Sequence, residues 1–400
     1  MTIIKTKIAG KADDVAGRSL SLKAGRGEVQ TPIYAVDDKL ALKLNKLQLD
    51  VIEVGLLINI SKYYNDKRNY DYESFLKHFI SRILKKTRKS GKLNVAIPVI
   101  VGGKNAETVP IIFLKRIVSA LYEAISQQIS NGSLDLTCMP ILYGKYAVQH
   151  RETINTLALD AVSSTIKSQV IAPVLSWDAG KDDINYIAKI SDKYNNIMEN
   201  LVCIDFRGSN PIAKLPGYKI LYENLVRDET EDSIIIKYGI NIQYSRIKKK
   251  TNEDPARDIL GFYMGLDIIG PNHRPYWYGS KPPQKIESPP PKLFLRKRYT
   301  YSSLSYAITK YKQVIKDEYG KILEDKITSI LENDKETLKA LVKSNIIKEV
   351  QEPIRTLFQN MTYQQYDKPI KYLLSKTIMK DYPEIRHTFS KFIKDLTAYI

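Results

Sequence analysis

From Thr31 onward, short apolar runs alternate with segments of helical spacing. The runs are TPIYAV (31–36), DVIEVGLLI (50–58), NVAIPVIVGG (94–103), LDLTCMPILYG (134–144), VIAPVLSWDAG (170–180), LVCIDFRGSN (201–210), SIIIKYGINI (233–242) and LDIIGPNH (266–273). Runs of this length rich in Val and Ile read as strands, and their near-continuous apolarity predicts burial on both faces. Between them lie YESFLKHFISRILKKTRKS, VPIIFLKRIVSALYEAISQQIS, RETINTLALDAVSSTIKSQ, KDDINYIAKISDKYNNIME and DPARDILGFYMG, with apolar residues three and four apart. That spacing predicts amphipathic helices. Eight such units in about 245 residues predict an α/β fold, a (β/α)8 TIM-type barrel over residues 31–281.

Residues 1–30 are polar and glycine-punctuated and read as a hairpin segment ahead of the barrel. The rhythm stops at Tyr276, and WYGSKPPQKIESPPPK follows, whose prolines fix φ and remove donors. It predicts an extended linker over 282–292. Beyond it, SLSYAITKYKQVIKDEYGKILEDKITSIL, DKETLKALVKSNIIKEVQEPIRTLF, KPIKYLLSKTIM and EIRHTFSKFIKDLTAYI show helical spacing and no strand signal, so residues 293–400 are expected to form a basic helical unit.

Composition narrows the class. With 43% hydrophobic and 26% charged residues in 400, the chain is neither disordered nor a disulfide-stapled miniature. Cys138 and Cys203 each stand alone in an apolar run and read as small buried hydrophobes, so neither a thiolate zinc site nor a disulfide framework is expected, and with no metal-ligand spacing, phosphate loop or GxGxxG no cofactor is expected. No stretch approaches the roughly 18 consecutive apolar residues of a membrane span, and the first residues lack a signal-peptide core. A cytoplasmic protein with no membrane partner is expected. Against 44 acidic residues stand 62 basic ones, a formal +18, which points to a polyanion such as tRNA or DNA or to a lysine-rich background composition.

In a barrel the chemistry sits just after each strand, and five of the runs end there in glycine: Gly102 with Gly103, Gly144, Gly180, Gly208 and Gly270. The polar groups near these ends are Glu53, Lys104, Tyr143, Lys145, Asp178, Asp205, Arg207, Tyr244, Arg246, Asn272 and His273. Two carboxylates from different strands facing one cavity suit glycosyl chemistry, and Asp178 with Asp205 is the candidate pair. An acid inside LVCIDFRGSN must face a cavity or find a partner, and Arg207 is the partner within reach. Asp178 has a second reading as a cap of the helix beginning at Lys181. His273, in GPNHRPYW, suits acid–base work or phosphate binding beside Arg274, and equally a packed hydrogen-bonding role.

The segment LFLRKRYTYSSLSY combines Arg296, Lys297 and Arg298 with Tyr299 and Tyr301, cations for phosphates and rings for unstacked bases. A second basic run holds Arg246, Lys248, Lys249 and Lys250. Together with Arg207 and Arg274 these are the expected nucleic-acid contacts.

Gly27, Val29, Thr31 and Pro32 in GRSLSLKAGRGEVQTPIYAV (17–36) resemble the opening of tRNA-guanine transglycosylases. LDVIEVGLLINISKYY (49–64) is similar to that family's second strand, and DPARDILGFYMGLDII (254–269) to its last helix and strand. The resemblance covers about a fifth of the chain. It implies a (β/α)8 barrel that exchanges a base at ribose C1′ through displacement by a carboxylate. The chain departs from the family at its chemistry. VIVGGK carries no acid where the family has Asp-Ser-Gly-Gly-Phe, Gly270 stands where its nucleophilic aspartate follows the last strand, and its zinc cysteines are missing. The resemblance therefore implies a divergent or inactive relative, or one whose carboxylates sit on other strands, such as Asp178 and Asp205. Two further readings are a catalytically inactive nucleic-acid-binding or assembly component, and a barrel enzyme acting on a phosphorylated metabolite through Arg207, His273 and Arg274.

Overall fold

A computed structural model describes residues 4–24, 27–44, 48–64, 92–102, 106–227, 229–230, 233–244, 251–274, 292–320 and 335–396. The expected helix at 72–90, the proline-rich stretch before Lys292 and the basic run 246–250 lie outside these residues, as does Lys104.

All eight apolar runs contain a strand. Two parallel sheets result. One has the order Ile171–Ala172, Leu136–Cys138, Leu93–Val101, Val51–Asn59, Val36–Asp37, with Ile141–Tyr143 also on Leu93–Val101. The other runs Val174–Ser176, Leu201–Asp205, Ile236–Ile240, Ile268–Ile269, Ile33–Tyr34. The fold is mixed α/β, with parallel sheets and packed helices. Alternation within each strand explains the unbroken apolarity. Leu93, Val95, Ile97, Val99 and Val101 join Cys138, Leu201, Cys203 and Tyr238 in one cluster, which Leu20, Leu22 and Val29 of the N-terminal segment extend. Their neighbours Ala96, Ile100, Val202 and Ile204 pack with the helices in another. Both cysteines are fully buried, as their apolar settings predict.

Ahead of these strands, Lys5–Lys11, Arg18–Ala24 and Gly27–Gln30 form a three-stranded antiparallel sheet. Arg18 anchors it. Its guanidinium binds Asp267 (3.0 Å) and Glu229 (2.8 Å), and Lys237 reaches the same Glu229 at 3.0 Å.

Helices Ile111–Ser130, Arg151–Thr165 and Lys181–Lys193 fall where the spacing puts them. Helix Leu215–Arg227 was not anticipated, since Pro216 and Gly217 in its first turn weaken the signal. Two expectations need correction. The helix expected over 254–265 shrinks to Leu260–Tyr263, because Glu253–Pro255 is drawn into a strand against Thr300–Ser303. The C-terminal segment is also not wholly helical, as Lys292–Leu295 and Thr300–Ser303 complete an antiparallel sheet with Glu253–Pro255. That pairing is non-local, so no local periodicity announces it.

The remaining helices, among them Lys335–Glu349 and Pro383–Leu396, share the core of the sheet-flanking helices: Tyr263 meets Phe358 at 5.5 Å between ring centroids and Tyr218 meets Phe392 at 6.3 Å. No helix among the described residues is long and apolar enough to cross a membrane.

A polar seam fastens helix Lys335–Glu349 to strand Ile33–Tyr34. The Lys343 ammonium donates to the Tyr34 hydroxyl (2.7 Å), and Tyr34 and Tyr301 donate to Asp258 Oδ2 at 3.0 and 2.9 Å. Burial pushes Asp258 up to about 6, with the charge of Lys343 and the two phenol hydrogen bonds acting against it. Because the folded protein holds this proton more tightly than the unfolded chain, the contribution to stability is fully present below about pH 4 and lost as pH rises through about 6. Two pH units at 1.36 kcal/mol each make about 3 kcal/mol. Asp258→Asn should flatten that part of the stability curve in urea titrations between pH 4 and 6. An unchanged slope would assign the pH dependence to another group.

Candidate active site

Side chains from five strands or the residues just after them converge at the carboxyl ends of the strands. Asp205 ends Leu201–Asp205, Tyr143 ends Ile141–Tyr143, Asn241 follows Ile236–Ile240, and His273 follows Ile268–Ile269. Glu53, third residue of Val51–Asn59, is fully buried and rises from beneath.

Asn241 ties the group together. Its amide nitrogen donates to Asp205 Oδ1 (2.9 Å) and to the Tyr143 hydroxyl (3.2 Å), and its carbonyl oxygen accepts from the backbone N–H of His273 at 2.8 Å. Asn241 holds φ +54°, a left-handed conformation that asparagine tolerates better than most residues. His273 Nε2 lies 2.5 Å from Glu53 Oε2, and the Tyr238 hydroxyl donates to Glu53 Oε1. Two glycines make this pair possible. A Cβ on Gly270 would sit 2.0 Å from Glu53 Oε1, and one on Gly55 would sit 2.4 Å from His273 Nδ1.

Burial raises the Asp205 carboxyl above its ordinary range, against the hydrogen bonds from Asn241 and the Arg207 N–H and the charges of Arg207 and Arg274. Burial, then the negative charge of Glu53, holds the Tyr238 phenol well above 10. A carboxyl that keeps its proton longer than usual beside a carboxylate–imidazole pair is equipped to give or take a proton.

Asp178 and Asp205 do share one cavity. Its volume is about 160 Å³, with an apolar wall that includes Met139, Leu142 and Val174 and a polar side of Ser176, Arg151 and Arg207. Asp178 is exposed and accepts from the Ser176 hydroxyl. It does not cap helix Lys181–Lys193, where Asp183 accepts from the Gly180 N–H at 3.4 Å. Asp205 also pairs with Arg207 differently from expectation: the contact is to the Arg207 backbone N–H (2.9 Å), and the guanidinium makes no ion pair with it. The hydrogen-bond geometry brings His273 and Asp205 into one group through Asn241, with Asp178 reaching it only across the cavity.

The basic-aromatic segment is redirected inward. Tyr299 and Tyr301 are fully buried, so neither ring can stack on a base. Arg296 binds Glu349 (2.9 Å), Arg298 binds Asp381 (3.2 Å) and Lys297 binds Asp317 at 2.7 Å. Burial of both rings and the pairing of Arg296 with the buried Glu349 correct the expected stacking surface, whereas Lys297, 62% exposed, pairs with Asp317 at the surface. Arg246, Lys248, Lys249 and Lys250 lie outside the described residues. Among the described residues, no three His, Cys, Asp or Glu side chains come together in a way that could hold a metal ion.

Glu53 stands among the polar rim groups of the sequence with no role attached, and Asn241 and Tyr238 are not among those groups. The argument applied to Asp205 fits Glu53 equally, since DVIEVGLLI buries an acid in an apolar run. Nothing in the sequence marks Asn241. No protein-family model matches the chain, and no curated protein matches it either.

Proposed function

We propose that the two sheets close into one eight-stranded (β/α)8 barrel whose mouth exchanges or modifies a base in nucleic acid. Closure is supported by two segments that pair on both sides. Ile33–Tyr34 pairs with Ile268–Ile269 while Val36–Asp37 pairs with Val51–Asn59, and across Pro173 Ile171–Ala172 pairs with Leu136–Cys138 while Val174–Ser176 pairs with Leu201–Asp205. The observation that carries the function is the hydrogen-bonded group of buried Asp205, Asn241 and Glu53 with half-buried His273, beside a cavity that Asp178 also lines. The +18 charge supports a polyanionic substrate.

In this reading the Asp178 carboxylate attacks C1′ as the glycosidic C–N bond breaks. The bonding electrons leave with the base nitrogen, which takes the Asp205 proton. An incoming base returns its proton to Asp205 and displaces the carboxylate, so atoms and charge balance over the cycle. Glu53 has both oxygens occupied by Tyr238 and His273 and acts as a positioning residue. The place where the resemblance puts a nucleophile, residue 270, is filled by the Glu53 carboxyl. The alternative, a non-catalytic nucleic-acid-binding or assembly component, draws on the same absence of an acid at residue 270.

The test follows uptake of a labelled free base into tRNA, single-stranded DNA and duplex DNA, with binding measured alongside. Wild type should label one substrate, and Asp205→Asn and Asp178→Asn should each lower the rate by about 100-fold with binding kept. Binding with no labelling by wild type on any substrate would favour the non-catalytic component.

A further inference from the structure

We infer that Arg207 and Arg274 form a phosphate-binding clamp at the rim of the Asp205 cavity. The inference rests on the surroundings of the two arginines and stands independently of base exchange.

Six described arginines have carboxylate partners, Arg18 with Asp267, Arg151 with Asp183, Arg257 with Asp254, Arg296 with Glu349, Arg298 with Asp381 and Arg355 with Asp50, whereas Arg227 and Arg386 stand exposed on helices with no ion pair among the described residues. Arg207 and Arg274 have none within 4.0 Å among the described residues. Their backbone and packing are nevertheless fixed. Arg207 holds φ +51°, a conformation in which glycine or asparagine is the less costly choice, and its N–H is pinned by Asp205 Oδ1 at 2.9 Å. The side chain displayed by that turn is exposed. Its charge acts at a distance on Asp205 and Tyr143, pulling the pKa of both down, with no ion pair among the described residues.

Arg274 is held from two sides. Its Nη1 donates to the Arg207 carbonyl at 2.7 Å, and its guanidinium lies 5.8 Å from the centre of the Tyr143 ring. One bond therefore couples the second arginine to the left-handed turn that displays the first. The acids nearby do not cancel both charges. Asp183 is paired with Arg151 (2.7 Å), and neither Asp178 nor Asp205 lies within the 4.0 Å ion-pair distance of either guanidinium. Guanidinium forks left without carboxylates on a fixed frame match the oxygens of a phosphate.

The phosphate belongs either to a nucleic-acid backbone or to a free phosphorylated molecule. Calorimetry with a 12-nucleotide single-stranded RNA and with a nucleoside monophosphate, the parent nucleoside serving as control, separates the sources. Wild type should bind at least one of the two phosphorylated probes. Arg207→Gln and Arg274→Gln should each weaken that binding at least tenfold with Tm unchanged within about 3 °C, and Arg274→Lys should not restore it because the fork is lost. Arginine-dependent binding of RNA alone assigns the clamp to a backbone phosphate, and of the monophosphate as well to a free phosphate. Because Arg207 is exposed, Arg207→Gln keeps the test valid if Arg274→Gln fails to fold. Equal affinity of wild type and Arg207→Gln, or no binding of either phosphorylated probe at low salt, would overturn the clamp. Loss of labelling in the base-exchange assay with arginine-dependent binding retained would count only against base exchange.

Discussion

Replacing Glu349 by alanine should lower the unfolding free energy by about 3–5 kcal/mol, among the largest effects of any single substitution in this chain. Glu349 is 1% exposed and accepts from the hydroxyls of Tyr299 (2.7 Å) and Tyr372 (2.6 Å) and from Arg296 Nε (2.9 Å), with the Lys376 ammonium 3.4 Å away. Truncation leaves a buried lysine, a part-buried arginine and two buried phenols facing a void. Burial acts to raise this carboxyl, but the charges of Lys376 and Arg296 and the hydrogen bond from Tyr372 outweigh it and hold it below 4.5. Its contribution is therefore complete above the ordinary carboxylate range and is lost as pH falls through the depressed value. Urea titration at pH 7 and at pH 3 reads both effects. A loss under about 1 kcal/mol at pH 7 would mean that apolar packing alone holds these helices.

Gly270→Ala should be nearly as disruptive. Its methyl would sit 2.0 Å from Glu53 Oε1 and 3.1 Å from the Tyr238 ring, so the carboxyl must leave its bonds to Tyr238 and His273. Overpacking of this kind costs about 1–3 kcal/mol, and expulsion of the carboxyl from its partners adds to it. Base exchange should fall by about 100-fold with it, because His273 is tied through Asn241 to Asp205, and a displaced His273 misplaces that acid. The diagnostic is non-additivity: in a Glu53→Ala background the same substitution should cost far less stability, because the clash has been removed. Equal costs in both backgrounds would show that Gly270 serves the turn and not the Glu53 site.

Much of this architecture was legible residue by residue. Each apolar run from TPIYAV to LDIIGPNH contains a strand, since a segment buried on both faces has to be apolar throughout. Asp205 was legible for the converse reason, as one acid in such a run demands a compensating environment. Glu53 offered the same signal. The roles of Arg296, Arg298, Tyr299 and Tyr301 were not legible, because a string of cations and rings has the same local pattern whether it faces a phosphate or a buried carboxylate. What separates the two are Glu349, Asp381 and Asp258, acids that lie far from the segment along the chain.

The sequence by itself therefore determined the strand and helix rhythm, the excess of positive charge and the need to accommodate Asp205, all of which follow from local hydropathy and from the cost of burying charge. The tertiary structure alone decided that Glu53 and His273 meet in the space left by Gly55 and Gly270, that Asn241 joins them to Asp205, and that 253–255 pairs with 300–303. These are contacts between residues far apart in the chain. Their energies depend on distances that only packing sets.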